Sequence, residues 1–149
     1  MKHYKPLIKK VSAKIKGYQT QPSANRVFVL YGFPLSGKTL IAREVAKKLN
    51  GKYIDLLKDK LNVLNPNLGL YAPLNFKRDI GTWAKETHSL LVIDEIEALL
   101  DTWTRDQHED LLKLLSGLGG RMHSPALITS RLDLLYEDFM GKDKVFRIS

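Results

Sequence analysis

Residues 32–39 of this 149-residue chain read Gly32, Phe33, Pro34, Leu35, Ser36, Gly37, Lys38, Thr39, which is the pattern G-x-x-x-x-G-K-[ST]. The run before it, residues 26–31, is apolar enough for a buried strand. The run after it, residues 39–49, places Leu40, Ile41, Val45, Ala46 and Leu49 at helical spacing. This strand-loop-helix context constrains the fold more than any other feature. Gly32 and Gly37 permit the backbone conformations that let successive N–H groups turn inward, and the helix start adds its positive end. Lys38 brings a point charge toward terminal phosphates, and the Thr39 hydroxyl is placed to ligand magnesium. The expected ligands are therefore ATP and Mg2+, held by residues 32–39 together with Leu40.

Strand and helix patterns alternate through the rest of the chain. Residues 52–57 read as a second strand, 74–87 as a helix, 89–94 as a strand, 104–118 as an amphipathic helix, 125–129 as a strand and 144–148 as a last strand. Such alternation predicts an α/β fold with a parallel sheet covered on both faces, a three-layer αβα sandwich. Residues 89–94 form the clearest strand, which ends in Asp94 and is followed directly by Glu95. Asp94 is expected to hold a magnesium-bound water and Glu95 to polarise the water that attacks the γ-phosphate, with Glu97 the competing base. The strand over 125–129 ends in Thr129 and is followed by Ser130 and Arg131.

These motifs resemble the additional-catalytic-glutamate division of P-loop ATPases, which includes the AAA+ and signal-transducing ATPases, over residues 26–148. The resemblance implies a five-stranded sheet of order 5-1-4-3-2, an AAA+-like core in which all three motifs meet at one edge. It also implies that Thr129, with Ser130 second, touches the γ-phosphate or the attacking water. Arg131 resembles an arginine that reports the γ-phosphate in some of these families, with an ordinary surface arginine as the alternative. An AAA+ protein continues into a helical lid with a second sensor arginine, and here that lid is expected to be missing. In length, missing lid and motif order the chain also resembles the short P-loop component of BREX phage-defence systems. That likeness implies a partner-dependent ATPase in an antiviral complex acting on DNA.

The net charge of +8 is concentrated before residue 27, where Lys2, Lys5, Lys9, Lys10, Lys14, Lys16 and Arg26 face no Asp or Glu. Residues 1–25 are thus expected to form a basic helical arm and linker, with Leu7, Ile8, Val11 and Ile15 on one face, and residues 26–149 the ATPase domain. The six arm lysines offer a contact for DNA or an acidic surface, against the plainer reading of a solubilising helix. The chain has no cysteine, no apolar run of spanning length and no His spacing suited to zinc, so a cytoplasmic protein without membrane contact is expected. Trp83 and Trp103 read as packing residues. The functional expectation is an ATP hydrolase, slow alone, working as a homo-oligomer or in a larger complex. A nucleotide-dependent scaffold or a small P-loop kinase are the alternatives, the latter weakened because Arg105, Arg121 and Arg131 are widely separated.

Overall fold

Four of the five residues of β1, Val27–Tyr31, are fully buried, as a strand covered on both faces must be. A computed structural model describes residues 2–20, 25–60, 70–118, 122–131 and 134–148, without the side chains of Lys2 and Lys60. The elements run α1 (Lys5–Tyr18), β1, α2 (Lys38–Lys48), β2 (Lys52–Asp55), α3 (Pro73–Ala84), β3 (Leu91–Asp94), α4 (Glu97–Leu100), α5 (Arg105–Gly117), β4 (Ala126–Ser130), α6 (Tyr136–Met140) and β5 (Val145–Arg147). All strand pairs are parallel and the sheet order is β2-β3-β4-β1-β5. This is the 5-1-4-3-2 order read from the other end, so β4 lies between the phosphate-loop strand and the acidic strand.

Each face of the sheet carries its own core. On one side Ile8, Val11 and Ile15 of α1 join Ile41, Ala42 and Val45 of α2 over Phe28, Leu30, Val92 and Leu127. On the other, α3, α4, α5 and α6 cover Val27, Val29, Leu91, Ile93 and Ile128, with Trp83 and Trp103 inside that core. Residues 1–25 therefore contain a helix whose apolar stripe is seated on the sheet, with its lysines outward. Tyr18 at the end of α1 donates to Asp143 at 3.0 Å, and Lys144 reaches the Tyr18 hydroxyl at 3.0 Å, clasping α1 to the start of β5.

Several element ends differ from the sequence reading for local reasons. The second strand stops at Asp55, not residue 57, because Asp55 N–H donates to the Asp59 carboxylate and Asp55 Oδ1 accepts from Lys58 N–H, drawing Leu56–Lys60 into a π-helical turn. The helix expected over 74–87 starts at Pro73, whose fixed φ suits a first turn, and ends at Ala84. Helix α5 is opened by Thr104 and Gln107, which accept from each other's N–H at 3.3 and 2.9 Å. Helices α4 and α6 went unread, being too short to show a period. Part of the linker within residues 1–25, the stretch 61–69 before α3, and Gly119, Gly120 and Arg121 lie outside the described residues.

Candidate functional site

Because the sheet is parallel, β1, β3 and β4 deliver their carboxyl ends to one edge. Gly32 N–H donates to Ser130 C=O at 3.1 Å, fixing the start of the phosphate loop to the end of β4. The loop closes at Gly37, which has φ of 99° and immediately precedes α2. A side chain there would be strained, and its Cβ would fall 2.6 Å from the ring of Tyr4, which the turn before α1 lays against the loop. Leu35 also lies in the left-handed region, at φ 62°, with its side chain wholly in solvent. Lys38 Nζ donates to the Phe33 carbonyl at 2.8 Å, so the lysine lies over the loop. Burial draws its ammonium below the ordinary lysine range, against the opposing pull of Glu97, Glu95 and Asp94. The Ser36 hydroxyl is buried inside the loop with no protein partner.

Asp94 is 1% exposed and is held by three hydroxyls. Thr39 donates to its Oδ2 at 2.8 Å, Tyr53 donates to the same oxygen, and Thr129 donates to Oδ1. Glu95 adopts φ of 68° just past the strand, a conformation costing a non-glycine residue about 1–2 kcal/mol, and its N–H donates to Thr129 Oγ1 at 3.2 Å. Burial, then the charges of Asp94 and Glu97, push the Glu95 carboxyl above its usual range. Glu97 is buried at the start of α4 and accepts from Arg131 N–H, while the Arg131 guanidinium reaches Asp101 at 3.0 Å.

A cleft of about 420 Å³ opens over these groups. Lys38, Thr39, Glu95, Glu97, Thr129 and Arg131 line it, with Pro34, Leu35, Gly37 and Leu40 forming the loop side. Asp94 lies beneath Thr39, and Gly32, Phe33 and Ser36 belong to the loop without lining the cleft. Glu97, read as leaning away toward the following helix, does open α4 but still borders the cleft. Thr39 and Asp94 bring two hard oxygen donors within hydrogen-bond distance, which suits magnesium, and the unpartnered Ser36 hydroxyl and the glycine-shaped loop suit a phosphate.

Tyr53 was missed. The signal was present in the two-residue alternation of β2, which puts Tyr53 on the α2 side of the sheet, one strand from Asp94. Its phenol is raised well above the tyrosine range, first by burial and then by the bond to Asp94, and Arg43 lies over its ring at 5.1 Å.

The solved structure of C. elegans PCH-2 is similar to this chain, with a TM-score of 0.60 over 95% of it at 16% identity, a likeness of fold. The chain spans 42% of that protein's length. No curated protein matches the chain in sequence. Residues 28–147 match the model of the ATPase family associated with various cellular activities (AAA), a span that contains the phosphate loop, the Asp94 strand and Thr129. The chain therefore belongs to the AAA family, whose domain implies nucleotide binding and an ATPase fold.

Proposed function

We propose that this chain is a Mg-ATP hydrolase that works as an oligomer or with a partner protein. The observation that carries the reading is the convergence of Lys38, Thr39, Glu95 and Thr129 on one cleft, above a buried Asp94. Magnesium, held by Thr39 and Asp94, would neutralise phosphate charge there. The loop N–H groups and Lys38 bind the phosphates, and Leu40 lies at the cleft edge. Glu95 takes the proton of the attacking water, and its raised, poorly solvated carboxyl is a stronger base than a surface glutamate. Thr129 fixes the Glu95 backbone and the Asp94 carboxylate together, which sets the distance between the two acids.

The setting that fits best is a cytoplasmic, DNA-directed complex of the phage-defence kind. Its support is the basic surface of α1 and the resemblance in motif order to small phage-defence ATPases. Phosphate release measured with Mg-ATP, with Lys38→Ala as control, tests the central claim. The variant loses ATP binding by calorimetry while keeping its thermal melt, since Lys38 contacts a loop carbonyl and no core residue. Equal ATP affinity in both proteins overturns the reading.

A further inference from the structure

We propose that the outer face of α1 and α2 is a docking surface for the phosphate backbone of a nucleic acid, read without base specificity. The two helices pack against each other on one side of the sheet, and both turn their apolar stripes inward. What they leave outside is basic: Lys5, Lys9, Lys10, Lys14 and Lys16 on α1, and Lys47 and Lys48 at the end of α2, all exposed. The sequence alone suggested an arm of lysines, whereas the fold adds the α2 lysines and makes the patch a rigid two-helix surface.

The acids on this side are few. Glu44 is the single acidic residue of α2, α1 has none, and Asp143 beside the end of α1 is engaged by Tyr18 and Lys144. The opposite layer is mixed or acidic, with Asp106, Glu109 and Asp110 on α5 and Glu137 and Asp138 on α6. A charge excess confined to one layer focuses potential on that layer, which is how polyanions are concentrated at a surface.

The composition of the face selects the partner. Protein interfaces bury an apolar centre and are depleted in lysine. Here none of the large exposed apolar side chains lies on α1, and the one on α2, Leu40, borders the nucleotide cleft. Membrane-surface helices need an apolar face free to insert, and that of α1 is occupied by the domain itself. His3, Tyr4, Pro6 and Leu7 group beside Lys10 at the start of α1, but no large exposed apolar side chain accompanies Lys9, Lys14, Lys16, Lys47 or Lys48, and such lysines match phosphate-backbone contact, the sequence-independent share of nucleic-acid binding.

The proposal deepens the DNA-directed reading above, and its test does not require hydrolysis. Binding of a labelled mixed-sequence duplex is followed by anisotropy between roughly 50 and 200 mM salt. The proteins compared are the wild type, Lys9→Glu/Lys14→Glu on α1 and Lys47→Glu/Lys48→Glu on α2, each checked by its thermal melt and by ATP affinity. The wild type binds with a slope of log affinity against log salt of several units, and each variant loses about tenfold or more in affinity and flattens that slope by about one unit or more, as lost phosphate contacts require. ATP affinity stays as in the wild type, since none of these lysines borders the cleft. An α2 variant that binds like the wild type overturns the two-helix surface. A polyglutamate peptide or phosphatidylserine vesicles bound as tightly as the duplex overturn the choice of partner. Duplex binding as expected in a protein that fails to bind ATP leaves this surface standing and removes the ATPase reading alone.

Discussion

The backbone N–H of Glu95 donates to the Thr129 hydroxyl at 3.2 Å, and the same hydroxyl donates to Asp94. One threonine on β4 thus holds the Asp94 carboxylate that ends β3 and the backbone of Glu95 just after it. The backbone turns left-handed at Glu95, directly after this contact, and the two contacts help offset that strain.

From this arrangement, Glu95→Gln retains Mg-ATP but loses about a hundredfold or more in turnover, because a missing base spares ground-state phosphate contacts. Glu97 has a different task, accepting the Arg131 N–H. Glu97→Gln keeps an acceptor oxygen and stays active, whereas Glu97→Ala leaves a half-buried donor unpaired and costs about 1–3 kcal/mol of stability. Single-turnover rates and thermal melts of the three variants check the division. A dead Glu97→Gln beside an active Glu95→Gln reverses it.

Tyr53 donates to the Asp94 carboxylate from outside the cleft lining, as a positioning residue. Tyr53→Phe removes one of the two hydroxyl donors to Oδ2 and leaves Thr39 alone on that oxygen. The expected result is a rise of roughly tenfold in the Mg2+ concentration needed for nucleotide binding, as a hydrogen bond to a charged group is worth about 1.5–3 kcal/mol, while metal-free ATP binding is unchanged. Calorimetry with and without Mg2+ separates the two. Since the phenol of Tyr53 is pushed well above the ordinary range, the wild-type Mg2+ requirement shows no tyrosine step up to about pH 10. A Tyr53→Phe midpoint equal to the wild type removes the positioning role.

What the sequence disclosed and what it hid divide along physical lines. Gly32, Lys38, Thr39 and Asp94 were legible because each is tied to a local transition, from strand to loop or loop to helix, that leaves a pattern in neighbouring residues. The strand order was carried by the resemblance between motifs and then fixed by register. Tyr53 and the Glu97–Arg131 contact were hidden because they join residues 34 to 41 positions apart, and no local pattern records such pairings. The basic arm was read from charge, but its seating beside α2 depends on packing between Ile8, Val11, Ile15 and the α2 stripe.

The clasp of Tyr18, Asp143 and Lys144 gives a pH dependence with a definite sign. The Lys144 hydrogen bond, opposed by burial and aided by Tyr18, holds the Asp143 carboxyl below its usual range. A depressed carboxyl contributes stability that is complete above its unfolded value, near pH 3.9, and is lost as pH falls through the folded one. The Asp143 side chain is 47% exposed, so screening limits the effect to about 1 kcal/mol or less. Asp143→Asn therefore melts below the wild type at pH 7, and the gap narrows below about pH 4. A gap that is constant with pH places the contribution in packing instead of charge.

The last prediction concerns charge at the γ-phosphate. Among the described residues the cleft is lined by two cations, Lys38 and Arg131, beside Glu95 and Glu97 and above Asp94. Arg131 is moreover committed to Asp101 at 3.0 Å. Negative charge developing in phosphoryl transfer is therefore under-compensated within one copy, and a single copy should turn over slowly. An arginine supplied from outside is worth about a thousandfold to a hundred-thousandfold in P-loop enzymes. We expect the donor to be Arg131 or Arg121 of a neighbouring copy, or an arginine of a partner protein. Turnover per subunit is measured across a wide concentration range, and then Arg131→Ala or Arg121→Ala chains are mixed with Glu95→Gln chains. Neither parent hydrolyses well alone, but a mixed interface pairs the intact Glu95 of one copy with the intact arginine of the other, so activity returns. Fast hydrolysis by a proven monomer, independent of concentration, shows that one copy already holds all the charge it needs.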